Sequence, residues 1–377
     1  MKTVEKMQQE IAQEKDDYIY LPENQPNEIE LIKALKLSND IKTELMQIEN
    51  ISRSEIKTVV DTYYQVQDMR KAVREQIRAI EQGRSAKISD NKEANVTILK
   101  WILANVAIIE KGITESLELI CESNTVGRWL LDINGIGPIL AAGLLGYLDV
   151  EGKDYATQFI SYAGLNDNNR PWLGAEKSRA IVNEIVGSAK TVTDDMVAEI
   201  AVKTQWPYSF LVKKAYTEKD GKGKWSKDKL IKACSMIPYN KDLKTHMYKV
   251  GSSFQWLCNN PNSLYGRLFT ERRTYEMKMN ESGAYAEQAK LKLETYNIDK
   301  STEAYKAYSK GMLPKAHINA RAMRWTEKIF LSHLFEEMYR VRYDKVPPRY
   351  YSIDKLGGEH NKDIAPEVPF TKVTGEN

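Results

Sequence analysis

Residues 129–149 read Trp129-Leu130-Leu131-Asp132-Ile133-Asn134-Gly135-Ile136-Gly137-Pro138-Ile139-Leu140-Ala141-Ala142-Gly143-Leu144-Leu145-Gly146-Tyr147-Leu148-Asp149. Two glycines flanking Ile136 permit the positive φ values of a tight hairpin. Ile136 between them is placed to plug the bend into the core. Pro138 suits a first helical turn, where a missing N–H is no loss. The open amides at that helix start, with the positive end of the dipole, then face outward and can hold a phosphate. Small Ala141, Ala142 and Gly143 let the second helix approach the first. The stretch predicts a helix-hairpin-helix, which grips the sugar-phosphate backbone without reading bases. A plain Gly-Pro turn between helices is the simpler alternative. A dinucleotide fingerprint fails, because no strand precedes the glycines and the third glycine is misplaced.

Upstream of the hairpin the pattern is helical. Val59, Val66, Val73 and Ile80 repeat every seven residues, and Ile56, Tyr63, Arg70 and Ile77 repeat beside them, offset by three. That is an a/d seam of about three and a half heptads. It fits an amphipathic helix packed on its own domain or an intermolecular coiled coil. Arg70 interrupts the seam and needs a partner there. Gln82-Gly83-Arg84-Ser85 ends the helix, since glycine favours a left-handed C-cap. Ile98, Leu99, Ile102, Val106, Ile109, Ile113, Leu117 and Ile120 recur at helical spacing after it. No stretch before residue 120 alternates long enough to be a strand. The fold class expected is mostly α, a coiled-coil-like helical hairpin leading into an all-helical domain.

The whole chain has 377 residues with 55 Lys and Arg against 52 Asp and Glu, so a net charge of +3 gives no global argument for a nucleic-acid partner. Local charge does. Residues 1–50 carry eleven acids and six basic residues, whereas residues 220–273 hold eleven basic residues against four acids and residues 306–349 ten against four. Such concentrations favour salt-sensitive phosphate contacts. His317, Arg321, Arg324 and Lys328 share one helical face, beside a core face of Ile318, Ala322, Trp325 and Ile329. Trp225, Tyr239, Tyr248, Trp256, Tyr265 and Tyr275 interleave with the cations, as stacking partners for unpaired bases or, for most of them, as core. A solvated surface is the plain alternative for the basic stripe.

Cys121, Cys234 and Cys258 form no Cys-x-x-Cys pair, and His246, His317, His333 and His360 never fall at ligand spacing with them, which excludes a zinc motif and a disulfide scaffold. The adjacent acids Asp194-Asp195 read as a helix start after Thr193, and Asp16-Asp17 is the other adjacent acidic pair. The N-terminus carries no signal-peptide pattern, and Val96 to Ile109 is broken by Lys100 and too short to cross a bilayer. The expected setting is the reducing cytoplasm of a prokaryotic host.

Four further segments bear a resemblance. Phe159-Ile160-Ser161-Tyr162-Ala163-Gly164-Leu165 follows the hairpin, Asn240-Lys241-Asp242-Leu243-Lys244 opens a later helix, Leu264-Tyr265-Gly266-Arg267-Leu268 comes next, and Ala320-Arg321-Ala322-Met323-Arg324-Trp325 lies near the end. Together with the Ile-x-Gly-Ile-Gly-Pro hairpin, this order resembles the C-terminal domain of DEDD-type insertion-sequence transposases, the class associated with a structured bridge RNA. Phage-borne and prophage-borne members look most similar. The likeness spans roughly residues 55–340, with the helix at 61–80 in the place of the family's coiled-coil linker. It implies a DNA-binding chain of transposase ancestry, involved in recombination or transposition. The family's RNase H-like domain, with its four metal-binding acids, has no counterpart here. The family's serine nucleophile falls before the Asn-x-x-Leu block, where this chain has an insertion containing Ser178, Ser188, Ser209, Ser226 and Ser235. Ser226, between Lys224 and Lys227, is the least poor candidate, because cations stabilise a phosphoryl intermediate.

The expected organisation is an acidic tail at 1–27, a long-helix region at 28–123, the helix-hairpin-helix at 124–170, an insertion at 171–238, a basic helical region at 239–350 and a mobile tail at 351–377. The expected phosphate contacts are Asn134, Gly135, Ile136, Gly137, Ile139, Lys241, Lys244, Lys249, Arg321, Arg324 and Lys328. The expected partners are DNA, or structured RNA in its place, and a second copy of the chain through the N-terminal helices, with no membrane. No cofactor is expected: Mg²⁺ would matter only to a catalytic chain, and a monovalent cation is the one ion suited to the hairpin. The alternatives are an active recombinase, a serine acting with a partner's acids, and a helical interaction protein.

Overall fold

The computed structural model describes residues 51–84, 92–166, 172–219, 222–348 and 364–375. The expected acidic tail, Asp16-Asp17 and His360 lie outside them. Among the described residues, fourteen helices and one two-stranded hairpin make up the regular structure, so the fold is all-α in character. No helix among them is long and apolar enough to cross a membrane. The residues group into two compact units, one containing Ile136–Leu148 with the described residues up to Asp132, the other Ile133–Gly135 with those from Asp149 onward.

The first unit holds α1 (Arg53–Glu81), α2 (Lys92–Ser123), α3 (Thr125–Leu131) and α4 (Pro138–Tyr147). Ser52 opens α1 with a capping box, its hydroxyl accepting from the Glu55 amide and the Glu55 carboxylate from its own amide. Gly83, at φ +66, closes it as a Schellman motif, with Arg84 N–H on the Ala79 carbonyl and Gly83 N–H on Ile80. Ile56, Val73, Ile77 and Ile80 are buried as the seam requires, whereas Val59, Tyr63 and Val66 are only half-buried and Val60, outside the expected seam, is buried instead. α2 fills that seam from the same chain. It runs antiparallel, as Arg70–Glu110 (2.5 Å) and Lys100–Glu81 (3.2 Å) pair earlier residues with later ones. The buried Arg70 thus has its partner within the chain, and the seam does not call for a second copy. α4 packs on α1 so closely that a Cβ on Gly146 would lie 3.1 Å from the Lys57 nitrogen.

The second unit is built on α5 (Ala156–Tyr162), α10 (Lys241–Trp256), α11 (Leu264–Glu281) and α14 (Lys315–Tyr343). Its centre is aromatic: Tyr265 stacks on Phe254 at 4.7 Å and meets Phe330 edge-on, while Phe159 meets Phe335. α12 (Ala286–Thr295) and α13 (Glu303–Tyr308) connect α11 to α14. Between α5 and α10 lie α6 (Gly174–Val186), α7 (Asp194–Thr204), α8 (Tyr208–Ala215), the antiparallel strands β1 (Tyr216–Lys219) and β2 (Lys222–Trp225), and α9 (Lys227–Cys234). These elements have their own apolar cluster, whose buried members all fall between Val182 and Cys234. Thr193 caps α7 with its hydroxyl on the Met196 amide, and Asp194 accepts from Trp225 Nε1 at 2.8 Å. Ser178 is fully buried here and its hydroxyl has no hydrogen-bond partner among the described residues. Ser178→Ala removes that stranded group and is expected to raise stability by about 1 kcal/mol. A lower denaturation midpoint for the variant would show that the hydroxyl is satisfied after all.

One expectation is corrected at the C-terminus. The composition of residues 351–377 reads as a mobile tail, yet 364–375 is fastened along α14. His333 Nε2 donates to the Ile364 carbonyl (2.8 Å), and the buried Glu337 carboxylate accepts from the Thr371 amide (2.8 Å) and hydroxyl (2.6 Å). Asp344 takes the Thr374 amide. Polar groups on a distant helix order this segment, which composition cannot reveal.

Candidate nucleic-acid interface

The hairpin forms as its residue types dictate, with one change. Ile133 and Ile136 are buried and Asn134 and Gly137 are exposed, so the bend is open to solvent. Gly135 adopts φ +94, a conformation reserved for glycine. Gly137 does not: at φ −89 and ψ 177 it is the extended N-cap of α4, so one positive φ rather than two makes the turn. Pro138 occupies the first turn, and no side chain caps the helix start. Ile139 follows in that turn, half-buried.

The second unit assembles a site around the bend's first half. Ser253 on α10 donates to the Gly135 carbonyl at 2.6 Å and holds the turn against the helix. Asn134, Gly135, Lys249, Ser252, Ser253 and Trp256 line an open depression of about 470 Å³. Asn134 itself is engaged on its other side. Its amide and its Nδ2 both donate to Glu367 Oε1 at 2.7 Å, and the Leu264 amide, at the start of α11, donates to Oε2 at 2.6 Å. The Asn134 amide, expected to be open to a phosphate, is therefore already held by Glu367 of the C-terminal segment. Nothing in the local sequence signals this, because the two residues are 233 positions apart.

The cationic candidates separate by the company they keep. Lys241 and Lys244 are exposed on α10, and Lys244 lies 4.3 Å over the Tyr239 ring. Lys249 lines the depression farther along the same helix. Arg324 is exposed on α14 and Lys328 half-buried. Arg321 departs from expectation. Its guanidinium pairs with Glu276 at 2.6 Å and lies over the Tyr285 ring, and Arg272 takes the other Glu276 oxygen at 2.7 Å. A carboxylate only 1 % exposed requires such partners, so Arg321 serves the interior rather than a phosphate. Although burial opposes ionisation, the bonds from Tyr285, Arg321 and Arg272 leave the Glu276 carboxyl below its ordinary range. His317 is held below its usual value by burial first, then by the positive field of Arg324, Lys292 and Arg321.

Ser226 has a structural task, capping α9 by accepting from the Lys229 amide. Among the described residues no three His, Cys, Asp or Glu side chains cluster as a metal site. The interleaved aromatics divide as well. Tyr265 and Trp225 are core, whereas Tyr248 and Trp256 stand in solvent, 62 % and 87 % exposed.

Two of the segments that carry the resemblance meet in this unit. The Asn240 amide donates to the Tyr162 carbonyl and its Nδ2 to the Tyr162 hydroxyl, both at 2.8 Å, while its Oδ1 caps α10 on the Leu243 amide. Gly164, at φ +67, lies so near Tyr239 that a Cβ would come within 2.6 Å of the ring. No family model, curated protein or solved structure matches the chain.

Proposed function

We propose that this protein binds nucleic acid through the sugar-phosphate backbone, using the open hairpin and the cationic face of α10, and that it descends from transposase-like chains. The observation that carries the reading is the meeting of Asn134 and Gly135 with Lys249 in one open depression. A glycine bend beside a cation suits a phosphate ester. The contact between the Tyr162–Leu165 and Asn240–Leu243 segments supports the ancestry. DNA is the proposed ligand and structured RNA the alternative. The proposed activity is binding alone, since Ser226 is engaged as a cap.

Gel-shift titration with duplex, branched and single-stranded DNA, and with RNA, at about 50 and 200 mM salt tests the reading. Replacing Lys241, Lys244 and Lys249 together by Ala is expected to weaken binding by tenfold or more and to flatten the salt dependence by two to three of its roughly unit steps. Absence of binding to every ligand at the lower salt would end the reading.

A further inference from the structure

The outward face of α10 has a composition that backbone gripping alone does not require. Lys241, Thr245, Tyr248, Ser252 and Trp256 recur at three- and four-residue steps along the side opposite the buried Leu243, Met247, Val250 and Phe254. From Lys244 to Trp256 the helix carries no acid. Trp256 leaves almost its whole indole in water, and it forms one wall of the depression that Lys249, Ser252 and Asn134 also line. An aromatic face with hydrogen-bonding groups at its edge is the complement of a nucleobase, which presents a π-face and a polar rim. An apolar peptide would instead want a continuous greasy groove, and here cations and hydroxyls separate the rings.

The spacing narrows the ligand. Tyr248 and Trp256 are eight residues apart on one helix, about 12 Å of rise. Stacked bases along a strand are only about 3.4 Å apart. The two rings therefore cannot serve neighbouring bases of an intact stack, and within a duplex the base faces are covered by their neighbours. They suit bases that are splayed out of a helix.

Resting on the nucleic-acid reading above, we propose that the face of α10 between Tyr248 and Trp256 is a stacking site for unpaired bases. The preferred ligand is then a strand with single-stranded or bulged nucleotides rather than a continuous duplex. The backbone is held at the hairpin and by the lysines, and the rings select for bases free to stack.

Filter-binding with a blunt duplex, the same duplex carrying a bulge and its single strand, each as DNA and as RNA, tests the proposal. Wild type is expected to bind the unpaired ligands at least tenfold more tightly than the blunt duplex. Tyr248→Ala is expected to lose roughly five- to a hundredfold on the unpaired ligands and less than twofold on the duplex, and Trp256→Ala to lose at least as much on the unpaired ligands, while Trp256→Phe keeps most of the affinity. Both side chains are solvent-exposed, so unchanged melting temperatures are expected for the variants. Equal affinity of wild type for all three ligands, or equal losses on duplex and single strand, overturns the stacking site and leaves backbone binding standing. No binding to any ligand overturns both.

Discussion

Replacing Glu327 by Gln is expected to stabilise the protein at about pH 9 and to leave it almost unchanged at about pH 4. Glu327 on α14 is 1 % exposed, and its Oε1 has no hydrogen-bond partner among the described residues. The facing helix makes room for it through Gly251 on α10, where a Cβ would come within 2.1 Å of that oxygen. Burial pushes the carboxyl up to about 8, against the smaller opposing pull of Arg324 and Lys244. Below the ordinary carboxyl range both folded and unfolded chains hold the proton, so Glu and Gln behave alike. As pH rises from the ordinary 4.5 towards 8, the unfolded chain ionises while the folded chain stays neutral, and stability drains away. At roughly 1.4 kcal/mol per pH unit the full difference is of order 3–5 kcal/mol. Chemical denaturation of both proteins across about pH 4 to 9 measures it. Parallel stability curves for wild type and Glu327→Gln would falsify the assignment of a neutral buried acid.

Gly135→Val is expected to damage the protein severely, and Gly137→Ala hardly at all. Any side chain at residue 135 must adopt φ +94, and its Cβ would stand 2.9 Å from both Leu257 Cδ1 and Ser253 Oγ. The second clash falls on the hydroxyl that holds the Gly135 carbonyl. Backbone strain of about 1–3 kcal/mol, added to the loss of that bond and displaced packing, places the expected cost at roughly 3 kcal/mol or more. At Gly137 the backbone is extended and no atom lies within 4 Å of an added Cβ, so Ala is expected to cost at most about 1 kcal/mol through weaker capping. Melting temperatures separate the two, and the gel-shift titration should lose tenfold or more in affinity for the first variant only. Similar losses at both glycines would mean that the bend is not organised by Gly135 and Ser253.

The local part of this architecture is legible from residue types. Ser52, Thr193 and Asn240 start helices because a short polar side chain can accept a first-turn amide, and Gly83 ends one because it enters the left-handed region at no steric cost. Heptad spacing locates the face of α1 that α2 covers, and it marks Arg70 as a residue in need of an anion. It cannot name Glu110, forty positions away on the next helix. The hairpin is legible for the same reason as the caps, since its glycine, proline and plugging isoleucine act within a few residues of one another. Only Gly135 needs a positive φ, because Gly137 enters α4 as an extended N-cap.

Charge patterning is a poorer guide, and its failures share a cause. Spacing puts Arg321 on a basic stripe with Arg324 and Lys328, but whether a guanidinium meets solvent or a buried carboxylate depends on Glu276, which another helix brings beneath it. Composition makes the C-terminal residues a loose tail, yet Glu337 and His333 tie them down and Glu367 reaches the hairpin amide. Helix boundaries, the seam and the bend were settled by the sequence itself, since hydrogen bonds and steric limits over a few residues act before any long-range contact forms. Which polar groups remain available to a ligand was decided only by the tertiary structure, because a buried or half-buried charge takes its partner from whatever chain segment packing sets beside it.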